Sequence, residues 1–257
     1  MNRKELKEFL DEKVLQYHSP QFVESDPIQI PHYFSLKEDI EISGLLASLM
    51  AWGNRKMIIS KSKDLMERMG NSPYDFVMNY SENQFQKIQD FKHRTINSDD
   101  IDFFIRSLQN IYSKHNGLET VFSFSDDDSD SFNPIENFRN KFFETPHLYR
   151  SEKHISSPAK NSAAKRINMF LRWMVRENSQ GVDFGIWKNI SSAQLVCPLD
   201  VHSGAVARKL GLLKRKQNDW KAAIELNNSL KKMDESDPVK YDFALFGLGV
   251  FENFTKN

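Results

Sequence analysis

Apolar side chains recur every three to four residues along most of the chain, which is the period of an α-helix with one buried face. Segments with this pattern are 3–17, 39–52, 55–69, 100–114, 163–177, 201–210, 218–232 and 239–251. Glycine or asparagine follows several of these segments, and capping residues precede others, as expected at helix ends. No convincing run alternates apolar and polar residues at the two-residue period of a half-buried strand. The pattern therefore predicts an all-α fold.

The segment from Asp39 to Trp52 is apolar on almost every side, which predicts a buried helix. Gly53 and Asn54 then end this helix, and a second helix follows from residue 55. A core aromatic at the end of the buried helix is the simpler interpretation of Trp52, and contact with a nucleobase is the alternative. For Asn54, a helix C-cap in the left-handed region is as good an interpretation as contact with a ligand.

Lys165 and Asp200 are the two residues with the clearest chemical potential. Lys165 lies well off the apolar stripe of its predicted helix, in line with Arg172 and Arg176, and a solvent-facing basic edge explains this placement most simply. Asp200 stands directly before the next predicted helix, where an N-cap alone would account for it. The 35 residues between Lys165 and Asp200 mean that any contact between them is spatial. An amine nucleophile beside a carboxylate suits chemistry at a sugar carbon.

Composition narrows the class of protein. The 257 residues are 39% hydrophobic and 27% charged, which is ordinary for a soluble globular chain. The single cysteine, Cys197, excludes a disulfide framework, a four-cysteine metal site and an iron–sulfur cluster. No apolar run approaches the ~18 residues of a membrane span, and the N-terminus is too charged for a signal peptide. We therefore expect a cytoplasmic protein without a membrane partner.

The acidic run 125–131 spaces Asp126, Asp128 and Asp130 as in a calcium-binding loop. The glycine and the closing glutamate of such a loop are missing from their required places, so a solvated loop is the better interpretation. We expect neither a metal site nor another cofactor.

The net charge of zero hides an uneven distribution. Residues 150–216 carry 13 Lys and Arg against 4 Asp and Glu, a net charge of +9, which leaves −9 on the remainder. Local charge, rather than total charge, governs attraction to a polyanion. A solvated charge run and a nucleic-acid-binding face both explain this basic third of the chain, and its overlap with Lys165 and Asp200 favours the second.

Two motifs in the basic third resemble a known superfamily. The string C-P-L-D-V-H-S-G-A-V-A-R-K-L-G-L-L, which begins at Cys197, resembles the catalytic-aspartate segment of the helix–hairpin–helix DNA glycosylases. The string K-R-I-N-M-F, which begins at Lys165, resembles the nucleophile helix of the archaeal 8-oxoguanine DNA glycosylase branch. The whole chain is similar to a bacterial family related to this superfamily and without an assigned function. The resemblance implies that Lys165 is the nucleophile and Asp200 the essential carboxylate.

The resemblance also implies an architecture. A single glycosylase-like unit (1–257) would form two helical lobes with a central cleft, the first made by residues 35–145 and the second, basic lobe by 146–257. Residues 1–20 would return to pack on the second lobe. The turn after the buried helix, with Trp52 and Asn54, would face the DNA or the base pocket.

Two residues near the C-terminus complete the implied base pocket. In the archaeal branch, an aspartate and an aromatic residue four positions later read and stack the extruded base, and Asp242 and Phe246 have that order and spacing. A polar helix face and a core position are the alternative interpretations of this pair.

The main departure from the superfamily is the absence of its glycine-containing hairpin, whose amides bind a phosphate. Ser157, Lys160 and Ser162 are candidates to hold that phosphate instead, near a helix N-terminus. Further phosphate contacts implied by the resemblance and by the charge pattern are His202, Arg208 and Lys209.

These features predict a DNA-repair N-glycosylase, with or without β-lyase activity. The sequence leaves open the lesion and the choice between DNA and RNA; a damaged purine such as 8-oxoguanine in duplex DNA is the substrate we expect, bound by a monomer. The alternatives are a non-catalytic nucleic-acid-binding protein that retains the fold, and a helical adaptor without nucleic acid.

Overall fold

Helices dominate the computed structural model of the protein, which describes residues 1–125, 127–252 and 254–255. The α-helices are α1 (Arg3–Tyr17), α2 (Pro20–Ser25), α3 (Lys37–Met50), α4 (Arg55–Arg68), α5 (Pro73–Met78), α6 (Glu82–Ile88), α7 (Ser98–Lys114), α8 (Leu118–Val121), α9 (Phe132–Phe142), α10 (Lys165–Val175), α11 (Val201–Lys209), α12 (Trp220–Lys231) and α13 (Tyr241–Val250). Short 3₁₀ segments are Pro27–Gln29, Pro31–Tyr33, Tyr149–His154, Ser192–Gln194 and Pro238–Lys240. The prediction of a mostly helical fold is confirmed. Asp126 of the acidic run lies outside the described residues.

A small β-hairpin interrupts this helical pattern. Strands β1 (Lys92–His93) and β2 (Ile96–Asn97) pair antiparallel, with Lys92 opposite Asn97 and His93 opposite Ile96. Between them Arg94 has φ +56°, in the left-handed region that few non-glycine residues adopt. Strands of two residues are too short to show a two-residue period, which is why the sequence pattern did not reveal them.

The chain folds into two compact units, each described by itself below. The C-terminal unit comprises residues 1–22, 126–132 and 157–257, and the central unit comprises 23–125 and 133–156. Residues 146–156 therefore belong to the central unit, although the resemblance assigns them to the second lobe.

Hydrogen bonds explain why residues 146–156 stay with the central unit. Ser151 donates a hydrogen bond of 2.6 Å to the buried carboxylate of Asp100, at the start of α7. Arg150 donates to the same carboxylate at 3.0 Å. Both contacts tie the 3₁₀ segment Tyr149–His154 to α7.

The C-terminal unit is built around α13, which packs against both α1 and α11. Gly247 permits the close approach of α1, because a Cβ at this position would overlap the ring of Tyr17. The predicted apolar stripe of α10 is buried; it includes Ile167, Phe170, Leu171 and Met174. These helices position the N-terminal ends of α10 and α11.

Candidate active site

The C-terminal unit brings Lys165 and Asp200 together. The Nζ atom of Lys165 lies 3.8 Å from Oδ2 of Asp200, and each side chain retains 29% of its exposure. Two residues that are 35 positions apart in the chain thus form a pair that a ligand can reach from solvent.

The backbone at the start of α11 orients the Asp200 carboxylate. Oδ1 accepts hydrogen bonds from the backbone N–H groups of His202 at 2.8 Å and Ser203 at 3.0 Å. In return, the Ser203 hydroxyl accepts from the backbone N–H of Asp200 at 2.9 Å, which completes a capping box. With Oδ1 held by the helix, Oδ2 is the oxygen directed at Lys165. Asp200 is therefore an N-cap, and the same geometry presents one carboxylate oxygen to the amine.

A tight turn positions Lys165 as the first residue of α10. Ala164 before it adopts a left-handed conformation (φ +45°), and its N–H donates to the Ser162 hydroxyl at 3.2 Å. Asp200 lies at the N-terminal end of α11 in the same way. Helix N-termini carry partial positive charge, so two of them together favour a carboxylate or phosphate at this point of the surface.

Asp242 belongs to the same electrostatic cluster. Its carboxylate is buried and accepts a hydrogen bond from the Arg172 guanidinium. Burial raises the pKa of Asp242 to about 6, while Arg172 and then Lys165 favour its ionised form and Asp200 opposes it. The cluster therefore contains one carboxylate at the surface and one buried carboxylate whose pKa is raised to about 6.

Arg172 and Arg176 do not form the solvent-facing basic edge that the sequence predicts. Both side chains are buried, with 3% and 6% of their surface exposed. Arg172 donates to Asp183 at 3.2 Å, in addition to its bond with Asp242. The interpretation of Lys165, Arg172 and Arg176 as one solvent-facing row is wrong for the two arginines, because the carboxylates of Asp183, Asp237 and Asp242 pair with them inside the protein.

Arg176 extends this buried network. It donates to Asp183 at 3.0 Å, to Asp237 at 2.8 Å and to Nε2 of His18 at 3.0 Å. Burial, and then the charge of Arg176, lower the pKa of His18 to about 4, so His18 is neutral and accepts through Nε2. Sequence reasoning missed Asp183, Asp237 and His18. No local pattern marks them as partners of α10: Asp183 lies in the connector after the helix, and Asp237 and His18 lie 61 and 158 positions from Arg176.

A compact turn replaces the glycine-containing hairpin before α10. The buried Ser157 closes it, because its hydroxyl accepts from the N–H of Lys160 at 3.2 Å and its carbonyl accepts from the N–H of Ser162 at 3.0 Å. Asn161 supplies the left-handed residue, with φ +61°. Lys160 is exposed beside this turn. The three candidate phosphate residues, Ser157, Lys160 and Ser162, therefore share one turn.

The loop before α12 supports this turn. Asn161 donates to a carboxylate oxygen of Asp219 at 3.1 Å, and the N–H of Trp220 donates to the Asn161 carbonyl at 3.2 Å. The Arg215 guanidinium pairs with the same carboxylate. This hydrogen bond is the main reason why the pKa of Asp219 lies well below its usual range. These hydrogen bonds hold the turn before α10 without the glycines of the superfamily's hairpin.

The other candidate phosphate residues lie on α11. His202 and Lys209 are exposed, and Lys209 donates to the carbonyl of Phe254 at 2.8 Å. Arg208 instead holds the following loop, through bonds to the carbonyl oxygens of Arg215 at 2.8 Å and Gln217 at 3.1 Å. We therefore keep His202 and Lys209 as predicted phosphate contacts, and assign Arg208 a structural contribution as well.

Phe246, the second candidate for the base pocket on α13, is half-buried among other aromatic rings. It makes edge-to-face contacts with Phe22 at 5.7 Å and with Phe251 at 5.9 Å between ring centroids. Its role towards a base stays a prediction.

Trp52 and Asn54 lie in the central unit, and the interpretations of Trp52 as a core aromatic and of Asn54 as a helix C-cap are both wrong. Trp52 is 52% exposed and not a core aromatic, because α3 ends at Met50, two residues earlier than predicted. Asn54 does not end a helix; it is the N-cap of α4 and accepts from the N–H of Met57 at 3.2 Å. Gly53, with φ +110°, supplies the left-handed residue of this turn.

In the described parts of the chain, no three His, Cys, Asp or Glu side chains are grouped to hold a metal ion. The helices described there are also too short or too polar for any of them to cross a membrane.

Residues 26–251 match the family described as "Protein of unknown function (DUF2400)". No curated protein and no solved structure shows significant similarity to the chain.

Proposed function

The chain belongs to the DUF2400 family of unknown function, and from the geometry of its Lys165–Asp200 pair we propose that it is a DNA-repair N-glycosylase with associated β-lyase activity. The substrate we propose is duplex DNA with a damaged purine such as 8-oxoguanine. The observation that carries the proposal is the 3.8 Å approach of a half-buried amine to a carboxylate at two adjoining helix N-termini.

The pair suits displacement of a base at C1′ of a deoxynucleotide. The neutral amine of Lys165 attacks C1′, and the C1′–N bond to the base breaks, with its electrons leaving on the base, which takes up a proton. The charge of Asp200 stabilises the oxocarbenium-like transition state, and Oδ2 accepts the proton that the attacking amine loses and returns it to the departing base. The helix holds the other oxygen, so the carboxylate is already oriented before the substrate binds.

The covalent intermediate accounts for the lyase step. Opening of the sugar ring breaks the C1′–O4′ bond, O4′ takes up a proton from water, and the C1′–Nζ bond becomes that of a protonated Schiff base. A proton then passes from C2′ to water, the electrons of the C2′–H bond form the C2′–C3′ double bond, and the C3′–O bond breaks to release the 3′ phosphate. Hydrolysis of the imine releases Lys165, so no cofactor is consumed.

Asp242 and Phe246 are the residues of this unit that we propose to contact the extruded base. A buried carboxyl group with a pKa of about 6 can donate as well as accept a hydrogen bond near neutral pH. The half-buried ring of Phe246 offers an apolar surface four residues further along α13. The role of Trp52 and Asn54 towards a base stays a prediction of the resemblance.

One observation favours a second candidate, a non-catalytic nucleic-acid-binding protein. At 3.8 Å the Lys165 amine is at ion-pair distance from Asp200, and a charged ammonium is a phosphate ligand, not a nucleophile. In that case both residues would serve binding alone.

Borohydride trapping separates these candidates. Purified protein is incubated with duplexes that contain 8-oxoguanine or an abasic site, and covalent adducts and released base are measured. We expect an adduct with both duplexes, lost in Lys165→Gln. Asp200→Asn should lose base release while it retains DNA affinity.

Lys188→Gln is the matched control, because Lys188 is an exposed lysine of the same unit. An adduct of full yield with Lys165→Gln would overturn the assignment of Lys165. No adduct with the wild type on either duplex, together with no base release from the 8-oxoguanine duplex, would overturn the proposal for this lesion and favour the binding protein.

A further inference from the structure

A groove of about 830 Å³ lies on the central unit, between α6, α7 and residues 146–148. The half-buried ring of Phe85 and the side chain of Leu148 supply apolar surface to it. Leu148 is 52% exposed, and the next residue, Tyr149, is 82% exposed. Large side chains left in water beside a concave apolar surface are typical of a binding site.

Hydrogen bonds fix the walls of this groove. The Arg106 guanidinium donates to Oδ2 of Asp102 at 2.9 Å and to the Pro146 carbonyl at 3.0 Å. The Tyr80 hydroxyl donates to the other oxygen of Asp102, Oδ1, at 2.9 Å. These bonds link α7 both to the residue before α6 and to residues 146–148. The groove is therefore formed before a ligand binds, which lowers the cost of binding.

The groove carries negative charge. Three carboxylates line it, those of Glu82, Asp99 and Asp102, against the one guanidinium of Arg106. Its formal charge is therefore −2 with His147 neutral. Arg106 already pairs with Asp102 at 2.8 Å, so the exposed side chains of Glu82 and Asp99 are the charges that a ligand meets first.

Two cations on adjoining segments are engaged outside the groove. The Arg150 guanidinium pairs with the buried carboxylate of Asp100 at 3.0 Å. The Nζ atom of Lys87 lies over the Phe76 ring, 5.8 Å from its centroid. The negative charge of the groove is therefore left for a ligand to neutralise.

Glu82 and Asp99 have a second explanation, because they stand in the first turns of α6 and α7. A carboxylate there offsets the partial positive charge of a helix N-terminus. That role explains the two carboxylates but not the exposed apolar surface beside them. A ligand that is both basic and apolar explains both features.

We propose that this groove binds a basic amphipathic segment of a partner protein. Apolar side chains of the segment pack on Phe85 and Leu148, and an arginine or lysine next to them pairs with Glu82 or Asp99. Arginine suits this place best, since its guanidinium is weakly hydrated and its stem is apolar.

Two other classes of ligand fit the groove less well. The phosphates of a nucleic acid would be repelled by its carboxylates. A small organic cation would leave the exposed surface of Leu148 and Tyr149 in water, whereas a protein segment can extend over it. The binding uses neither Lys165 nor Asp200 and goes beyond the proposed reaction.

Selection from a library of random dodecapeptides tests the proposal with the full-length protein. Peptides displayed on phage are selected on the immobilised wild type at low salt, and the recovered sequences are synthesised with a fluorescent label. Their Kd values are measured by anisotropy. We expect recovered peptides that combine arginine or lysine with leucine, phenylalanine or tryptophan.

Variants locate the binding at the groove. Leu148→Ser should raise Kd about tenfold, the loss expected for one apolar side chain at a contact. The double variant Glu82→Gln/Asp99→Asn should raise Kd about threefold, because exposed ion pairs contribute little each, and its binding should depend less on salt. Leu36→Ser and Glu67→Gln are the matched controls, since Leu36 and Glu67 are exposed residues of the same unit. Thermal unfolding verifies that each variant is folded.

Each outcome decides the proposal independently of the trapping experiment, because Lys165→Gln should bind the peptides like the wild type. Recovery of no peptide, or only of peptides whose affinity survives Leu148→Ser and the double variant, would overturn it. Recovery of apolar peptides without a basic residue would overturn it as well. A concentration-dependent dimer in sedimentation that Leu148→Ser abolishes would overturn it in favour of a second copy of the chain.

Discussion

The two ends of helix α10 carry the same sign of charge in opposite settings. At its N-terminal end, Lys165 faces one carboxylate, and both side chains are 29% exposed. Towards its C-terminal end, Arg172 and Arg176 are buried and share the carboxylates of Asp183, Asp237 and Asp242. The arginines are satisfied within the protein, so they serve the fold. Lys165 combines a carboxylate partner with access to solvent, which is what a reactive group needs.

Among the substitutions at the two ends of α10, we expect Arg176→Ala to lower the free energy of unfolding most. Arg176→Ala removes the arginine that pairs with the partly exposed Asp237 and one of the two arginines that pair with the fully buried Asp183, so both carboxylates lose compensation of their charge. We expect a loss of about 3–5 kcal/mol in the free energy of unfolding, measured by urea denaturation near neutral pH. Lys188→Gln should show no significant change. A loss for Arg176→Ala below about 1 kcal/mol would mean that the buried network is not what holds this end of α10.

A second effect depends on pH. Because burial raises the pKa of Asp242 to about 6, the folded state favours its protonated form, and this contribution to stability is lost as pH rises through that value. Relative to Asp242→Asn, the wild type should lose on the order of 2–3 kcal/mol between about pH 4 and about pH 7. Denaturation curves of both proteins across this range measure the difference. A difference that stays constant with pH would contradict the assigned burial.

At the other end of α10 we expect smaller effects on stability. Asp200→Ala removes the N-cap of α11 and should cost about 1 kcal/mol, whereas Asp200→Asn keeps a capping side chain and should cost only a few tenths. Base release should be lost in both variants. Thermal unfolding and a base-release assay on the same samples separate the cap from the chemistry, and retained base release in Asp200→Asn would argue against an essential carboxylate.

We expect Lys165→Gln to have the smallest effect on stability, and this result would distinguish Lys165 from the two structural arginines. Lys165→Gln breaks a partly exposed ion pair and should change the free energy of unfolding by less than about 1 kcal/mol. A much larger loss in urea denaturation would place Lys165 with the arginines, as a structural residue of α10.

Local patterns explain what could be predicted from the sequence. The apolar stripe of α10 and the aspartate before α11 each depend on neighbouring residues, and both are seen in the structure. The partners of Arg172 and Arg176 depend on residues up to 158 positions away, as for His18, and no local period encodes such a contact. The sequence pattern therefore predicts exposed side chains for Arg172 and Arg176, although both are buried.

The turn after α3 shows a different limit. The apolar run of α3 continues in the sequence to Trp52, and tryptophan is usually buried in part, so the pattern predicts a helix that ends there. The chain leaves the helix at Met50, and the short hairpin whose Arg94 lies over the Trp52 ring has no periodic signal of its own. The exposure of Trp52 thus depends on the early end of α3 and on the hairpin, and the hydrophobic pattern of the sequence predicts neither feature.

The assignment of Lys165 as the nucleophile can be tested by identifying the lysine that carries the trapped sugar. The adduct formed with the abasic duplex is reduced with borohydride and digested, and its peptides are mapped by mass spectrometry. The Lys165–Asp200 geometry predicts a deoxyribose remnant on Lys165. Modification confined to another lysine, such as Lys160 on the turn before α10, would contradict the assignment of Lys165 as the nucleophile.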